Sequence, residues 1–239
     1  MYQSDMKLNH QITQHVEMQM QRLKSSAASA DERMLLPHQQ GQEVMRDILQ
    51  QYLAGLKAIS CLLDHGYVAQ TRGIFQTLGD DYEDIIFLSL PSLDGELTSL
   101  HKAYLKGVSS AHCEACYSPI TRCEIRSTIK QAKTINHNVF QIYPKKQALQ
   151  VLRPQGDKPC STTLAISLHR HYAHKALLLT MLTAKVSGED DVMRACLNYR
   201  AHLEISDELV WQRDIEEHQE VPASMHSSVN DREEYAAAL

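Results

Sequence analysis

Arg170 and His174 stand four residues apart in the run His169-Arg170-His171-Tyr172-Ala173-His174-Lys175. On a helix that spacing puts both on one face, so a guanidinium that can hold a phosphate lies beside an imidazole that can move a proton near neutral pH. The chemistry this pair suits is RNA cleavage. A histidine, His174 or its neighbour His171, takes the 2′-hydroxyl proton or protonates the leaving oxygen, while the arginine offsets charge growing on the phosphorane. The competing reading makes the same residues surface contacts, caps or ion-pair partners of an acidic helix, and geometry must decide.

Asp80, Asp81, Glu83 and Asp84 form that acidic run, in which Asp80 and Asp84 lie one turn apart and can share a cation or act on a substrate. With imidazoles from the later helix they would make a bundle metal site, although the Glu-x-x-His signature of di-iron bundles is missing. The alternative is a solvated helix face or an ion-pair partner for arginine, because charge runs on amphipathic helices usually face water. A further candidate is His112-Cys113-Glu114-Ala115-Cys116 with Cys123 beyond it. Thiolates so spaced can grip one zinc, with a third thiolate or His101 completing a tetrahedron. No second Cys-x-x-Cys pair follows, so unligated thiols are the competing reading. There is neither a Walker-type loop nor a Gly-x-Gly-x-x-Gly cradle, which removes support for nucleotide hydrolysis and dinucleotide redox chemistry. Arg122, Arg126, Lys130, Lys133, Lys145 and Lys146 make the middle of the chain locally basic, a face that can meet nucleic acid.

The elements that must position these groups read as helices in series. Only 9 glycines and 7 prolines occur in 239 residues, and alternating Val/Ile/Thr runs are absent, so an all-α fold is predicted over a sheet-based one. Leu8, Ile12, Val16, Met20 and Leu23 recur at helical spacing over about residues 5–28. A second helix over about 41–65 carries Val44, Ile48, Tyr52, Leu56, Ile59 and Leu63, with Gly66 as its stop. A third, about 67–90, points Ile74, Phe75, Leu78, Tyr82, Ile85 and Ile86 inward and is expected to end at Pro91. Asp94 is expected to cap a fourth helix closing at Gly107, and Ser118 with Pro119 to open a fifth running to about Thr134 through Cys123. Residues 136–160 read as a long connection. A sixth helix over about 162–186 and a seventh over about 189–211 complete an irregular bundle of about seven helices. One domain is expected over 1–215, with the N-terminal helix and linker of 1–40 packing peripherally and a polar, mobile tail over 216–239.

The balance of 24 Lys and Arg against 29 Asp and Glu gives a formal charge of -5, so no overall basic field draws the chain onto nucleic acid or anionic lipid. Residues 1–14 lack a basic start and an apolar core, and no uncharged apolar run reaches bilayer-spanning length. A cytoplasmic protein without a membrane partner is expected, its 6 cysteines reduced.

Leu62-Leu63-Asp64-His65-Gly66-Tyr67, the run Arg72-Gly73-Ile74-Phe75-Gln76-Thr77-Leu78-Gly79-Asp80 and Glu83-Asp84-Ile85-Ile86-Phe87-Leu88 resemble a class of uncharacterised bacterial helical proteins. Glu96 to Lys102 and Arg122 to Arg126 look like later stretches of the same class, and the likeness spans about residues 62–174. The class is HEPN-like in organisation, so the resemblance implies a link to RNA cleavage or to bacterial defence and mobile-element systems, and includes members that only bind partners. HEPN ribonucleases carry four to six residues between Arg and His, and Arg170 and His174 are separated by three.

The leading expectation is a helical interaction or regulatory protein of unspecified protein partner. Beside it stand a metal-independent ribonuclease acting through Arg170 and His174, with RNA as partner and a homodimer bringing two copies together, and a zinc-binding protein using Cys113 and Cys116. Absence of any cofactor is expected outside the zinc reading.

Overall fold

In a computed structural model, the structure describes residues 2–27, 37–94, 97–110, 120–132 and 161–203. The described residues form seven helices and no strand: α1 (Tyr2–Ala27), α2 (Pro37–Asp64), α3 (Thr71–Asp94), α4 (Ser99–Ser110), α5 (Arg122–Gln131), α6 (Thr162–Ser187) and α7 (Asp190–His202). All fall in one unit spanning Met1–Ile205. The expected tail over 216–239 and connection over 136–160 lie outside the described residues. No described helix is long and apolar enough to cross a membrane.

The helical periodicity of the sequence sets the buried stripes. Ile12, Val16, Met20 and Leu23 of α1 are buried, as are Val44, Tyr52, Leu56, Ile59 and Leu63 of α2. Ile48, also expected there, is half-buried, and Met45, Leu49 and Leu53 widen the stripe. The helices meet as hairpins where glycine allows a left-handed residue. Gly66 (φ 76°) turns α2 into α3 and Gly188 (φ 75°) turns α6 into α7. Pairs Glu17–Lys57 and Lys24–Gln50 show α1 and α2 running antiparallel. Gln42 donates to the Val186 carbonyl and Tyr52 to the Tyr172 carbonyl, which sets α2 antiparallel to α6. Gly55 lets α2 approach α3 so closely that a Cβ there would lie 2.7 Å from Leu78 Cδ2.

Several boundaries differ from expectation for identifiable reasons. Residues 65–70 are turn, so α3 starts at Thr71, whose hydroxyl donates to the Val68 carbonyl. Pro91 does not end α3, which runs to Asp94. Proline at position 91 leaves the Phe87 carbonyl without its helical donor, and His101 Nε2 supplies one at 2.9 Å. Asp94 accordingly closes α3 instead of opening α4, where Thr98 Oγ1 accepts from the His101 N–H. α4 continues past Gly107 to Ser110. The N-cap of α5 is Thr121, in a reciprocal capping box with Glu124, so the expected start at Ser118 and Pro119 is displaced; those two residues lie outside the described ones. α5 ends at Gln131, short of Thr134, and α7 ends at His202, short of Trp211, with Leu203 as C-cap.

α3 carries the most deeply enclosed segment of the bundle. It packs against α2, α5 and α6, and every residue from Asp81 to Pro91 is buried. A helical segment enclosed on all sides must bury whatever charge it carries, and this one carries Asp81, Glu83 and Asp84.

Candidate functional site

The carboxylates of α3 are not on a solvated face. Asp81 is 8% exposed, Glu83 0% and Asp84 6%. Burial of charge at this depth requires partners, and α5 supplies them for Glu83 and Asp84. Arg122 grips Asp84 with two guanidinium nitrogens, Nη2 at 2.9 Å from Oδ2, and donates to the Asp80 carbonyl at 3.1 Å. Its Nε lies 4.0 Å from Asp80 Oδ1. One turn later Arg126 Nε donates to Glu83 Oε1 at 2.9 Å. The solvated-face expectation is therefore wrong and the arginine-pair expectation describes the contact. Asp80 and Asp84 are brought together, by a guanidinium.

Burial pushes the Asp84 carboxyl above the usual carboxylate range, against the pull of Arg122 and of a hydrogen bond from Tyr104. Desolvation works against the Arg122 charge, but the Asp84 carboxylate outweighs it and raises that guanidinium. The contact favours the charged form of both partners, and desolvation overrides it at Asp84 alone. Arg122 keeps 41% of its side chain exposed and retains hydration, whereas Asp84 does not. Around the acids stand phenols held well above their ordinary range by burial: Tyr52, Tyr82, Tyr104 and Tyr172. Lys175 Nζ sits 5.4 Å from the centre of the Tyr82 ring.

The histidine-rich stretch of α6 is divided among separate environments. Arg170 pairs with Asp5 of α1, its side chain 18% exposed. Both ring nitrogens of His174 are shielded from solvent. His171 is half-buried and meets the Tyr172 ring edge-on. His169, quoted in the sequence only as part of the run, is 0% exposed and joins three helices. Its Nε2 lies 3.1 Å from the Leu56 carbonyl, which can only accept, so that nitrogen carries the proton. Asn9 Nδ2 donates to the Ile166 carbonyl at 3.3 Å, which fixes the amide's orientation, and the same group lies 3.2 Å from His169 Nδ1, which must accept. Burial holds this imidazole at a pKa of about 4, so it is neutral at physiological pH.

His101, offered beside a third thiolate to complete a zinc tetrahedron, makes other contacts. With Nε2 donating to Phe87 O, its Nδ1 accepts from the Thr98 hydroxyl at 2.7 Å, and its ring stacks on Phe87 at 4.1 Å. Cys123 is exposed on α5, while His112, Cys113 and Cys116 lie outside the described residues. Among the described residues no group of three or more His, Cys, Asp or Glu side chains is arranged to hold a metal ion.

The residues of this contact that the sequence does not single out are Glu83, grouped there with its neighbours, and Arg122 and Arg126, which read as part of a basic patch. A signal was present: Arg122, Ile125, Arg126 and Ile129 repeat Arg-x-x-Ile, placing two arginines on one stripe beside two isoleucines. Compared with known protein families, curated proteins and solved structures, the chain matches none.

Proposed function

We propose that this chain is a helical interaction or regulatory protein that works by engaging a protein partner and turns over no substrate of its own. The observation that carries the reading is the engagement of Arg170: the guanidinium best placed by sequence to meet a phosphate is paired with Asp5. The enclosed ring nitrogens of His174 agree with it, since a general acid or base must come within hydrogen-bond reach of a substrate. The resemblance over residues 62–174 supports placing such a protein near bacterial defence or mobile-element systems, among the members of that class that only bind partners.

The ribonuclease reading gives the test. Single-stranded RNA incubated with the purified protein in EDTA is expected to remain intact, with the His174→Ala variant indistinguishable from the parent. Cleavage by the parent that disappears in His174→Ala would replace this reading with catalysis through Arg170 and His174.

A further inference from the structure

The Arg-x-x-Ile repeat of α5 meets α3 in a particular way. Ile125 and Ile129 are each 2% exposed, while Arg122 and Arg126 reach carboxylates on the neighbouring helix. Several features set this docking apart from the rest of the bundle. α5 is 10 residues long, below the roughly 12–15 at which an isolated helix becomes even marginally stable, so its order depends on its cap and its contact with α3. Its principal packing partner is α3, whereas α1, α2 and α6 each pack against several helices. Both arginine side chains remain about two-fifths exposed, 41% and 42%, so water can reach the donors and compete.

The acceptor side is under-satisfied. Glu83 is wholly buried, yet one guanidinium nitrogen alone serves it, and its Oε2 makes no hydrogen bond among the described residues. An arginine can hold both oxygens of a carboxylate in parallel, as Arg122 does for Asp84. The resident helix therefore leaves unused part of what Glu83 offers.

We propose that the row Asp80, Glu83 and Asp84 is the receptor for a partner helix bearing two arginines one turn apart, and that α5 is a resident occupant which this partner displaces. The inference rests on the interaction reading above and names the chemistry of the partner. Arginine is required over lysine, because planar two-pronged donation is what the buried carboxylates reward. An apolar residue three positions after each arginine fills the places of Ile125 and Ile129. Displaced α5 exposes its isoleucines and loses its helix, so occupancy by the partner is coupled to unfolding of one short element.

The probe is a fluorescein-labelled peptide of residues 120–132, added to the full chain carrying Arg122→Ala and Arg126→Ala. It is expected to bind this double variant at least about tenfold more tightly than the unaltered protein, whose own α5 competes. The same peptide with both arginines replaced by alanine is expected not to bind. A double variant with native helical content that fails to take up the peptide overturns the proposal. Should the double variant not fold, hydrogen exchange on the unaltered protein decides: α5 amides exchanging about a hundredfold faster than those of α2 and α6 is expected, and equal protection overturns it. The two failures are distinguishable, since RNA cleavage lost in His174→Ala removes the interaction reading on which this inference rests, and absent peptide binding removes only the exchange.

Discussion

His169 shows what a single side chain contributes. It hydrogen-bonds Leu56 of α2 through one nitrogen and Asn9 of α1 through the other, and it does so only as the neutral tautomer. The unfolded chain takes up a proton there near pH 6.5, the folded chain not until about 4. The unfolded state therefore binds more protons between those values, so stability is fully present above the upper one and is lost as pH falls towards the lower. A difference of that size is worth roughly 3 kcal/mol by linkage. Urea denaturation at pH 7.5 and pH 4.5 is expected to show it, and His169→Gln, which can still donate to Leu56 and accept from Asn9, should flatten the slope. Asp84, raised by burial, contributes the opposite slope at lower pH, so the difference between parent and variant is diagnostic. Equal slopes in the two proteins would show that His169 is not the titrating group. The run around His169 was conspicuous in the sequence, but the residue that was functional to the fold was not the one its spacing singled out. Position i to i+4 locates Arg170 and His174 on one face and says nothing of what lies opposite, which is Asp5, 165 residues away.

At the scale of elements, Pro91 and His101 act as a unit. The missing N–H of proline leaves the Phe87 carbonyl open and the imidazole closes it, which lets α3 run three residues further and holds α4 against it. His101→Ala should cost on the order of 1–3 kcal/mol, the penalty for a buried acceptor left unpaired. In a Pro91→Ala background the backbone N–H at position 91 can serve that carbonyl, and the same change should cost about 1 kcal/mol less. Additive thermal-denaturation energies for the pair would refute this coupling. Helix existence and the apolar faces of α1, α2 and α3 were legible, because a period of 3.6 residues is written in the chain itself. The ends of α3, α4 and α5 were not. Pro91 reads as a stop unless a donor arrives from another helix, and Thr121 competes with Ser118 as a cap until the chain's path is known.

At the scale of the described bundle the decisive feature is the enclosure of the second half of α3. Its segment from Asp81 to Pro91 is enclosed on every side, whereas α1 closes over the bundle through a partly polar contact that buries Asn9, Thr13 and Gln19. Hydrogen exchange is therefore expected to find the α3 amides of residues 81–90 opening only with global unfolding, and the first turns of α1 opening earlier. Protection in α1 equal to that in α3 would contradict this ordering.

By itself the sequence determined the all-α class, most of the apolar stripes of α1, α2 and α3 and the glycine turn at Gly66, since these follow from residues close together along the backbone. Tertiary structure alone decided which charges are buried and with whom they pair. Four acidic residues on one helix face water or the interior according to where that helix stands among the others. Here three of the four are buried, and two arginines from a short helix some 40 residues further along pair with Asp84 and Glu83, which the core could not otherwise hold.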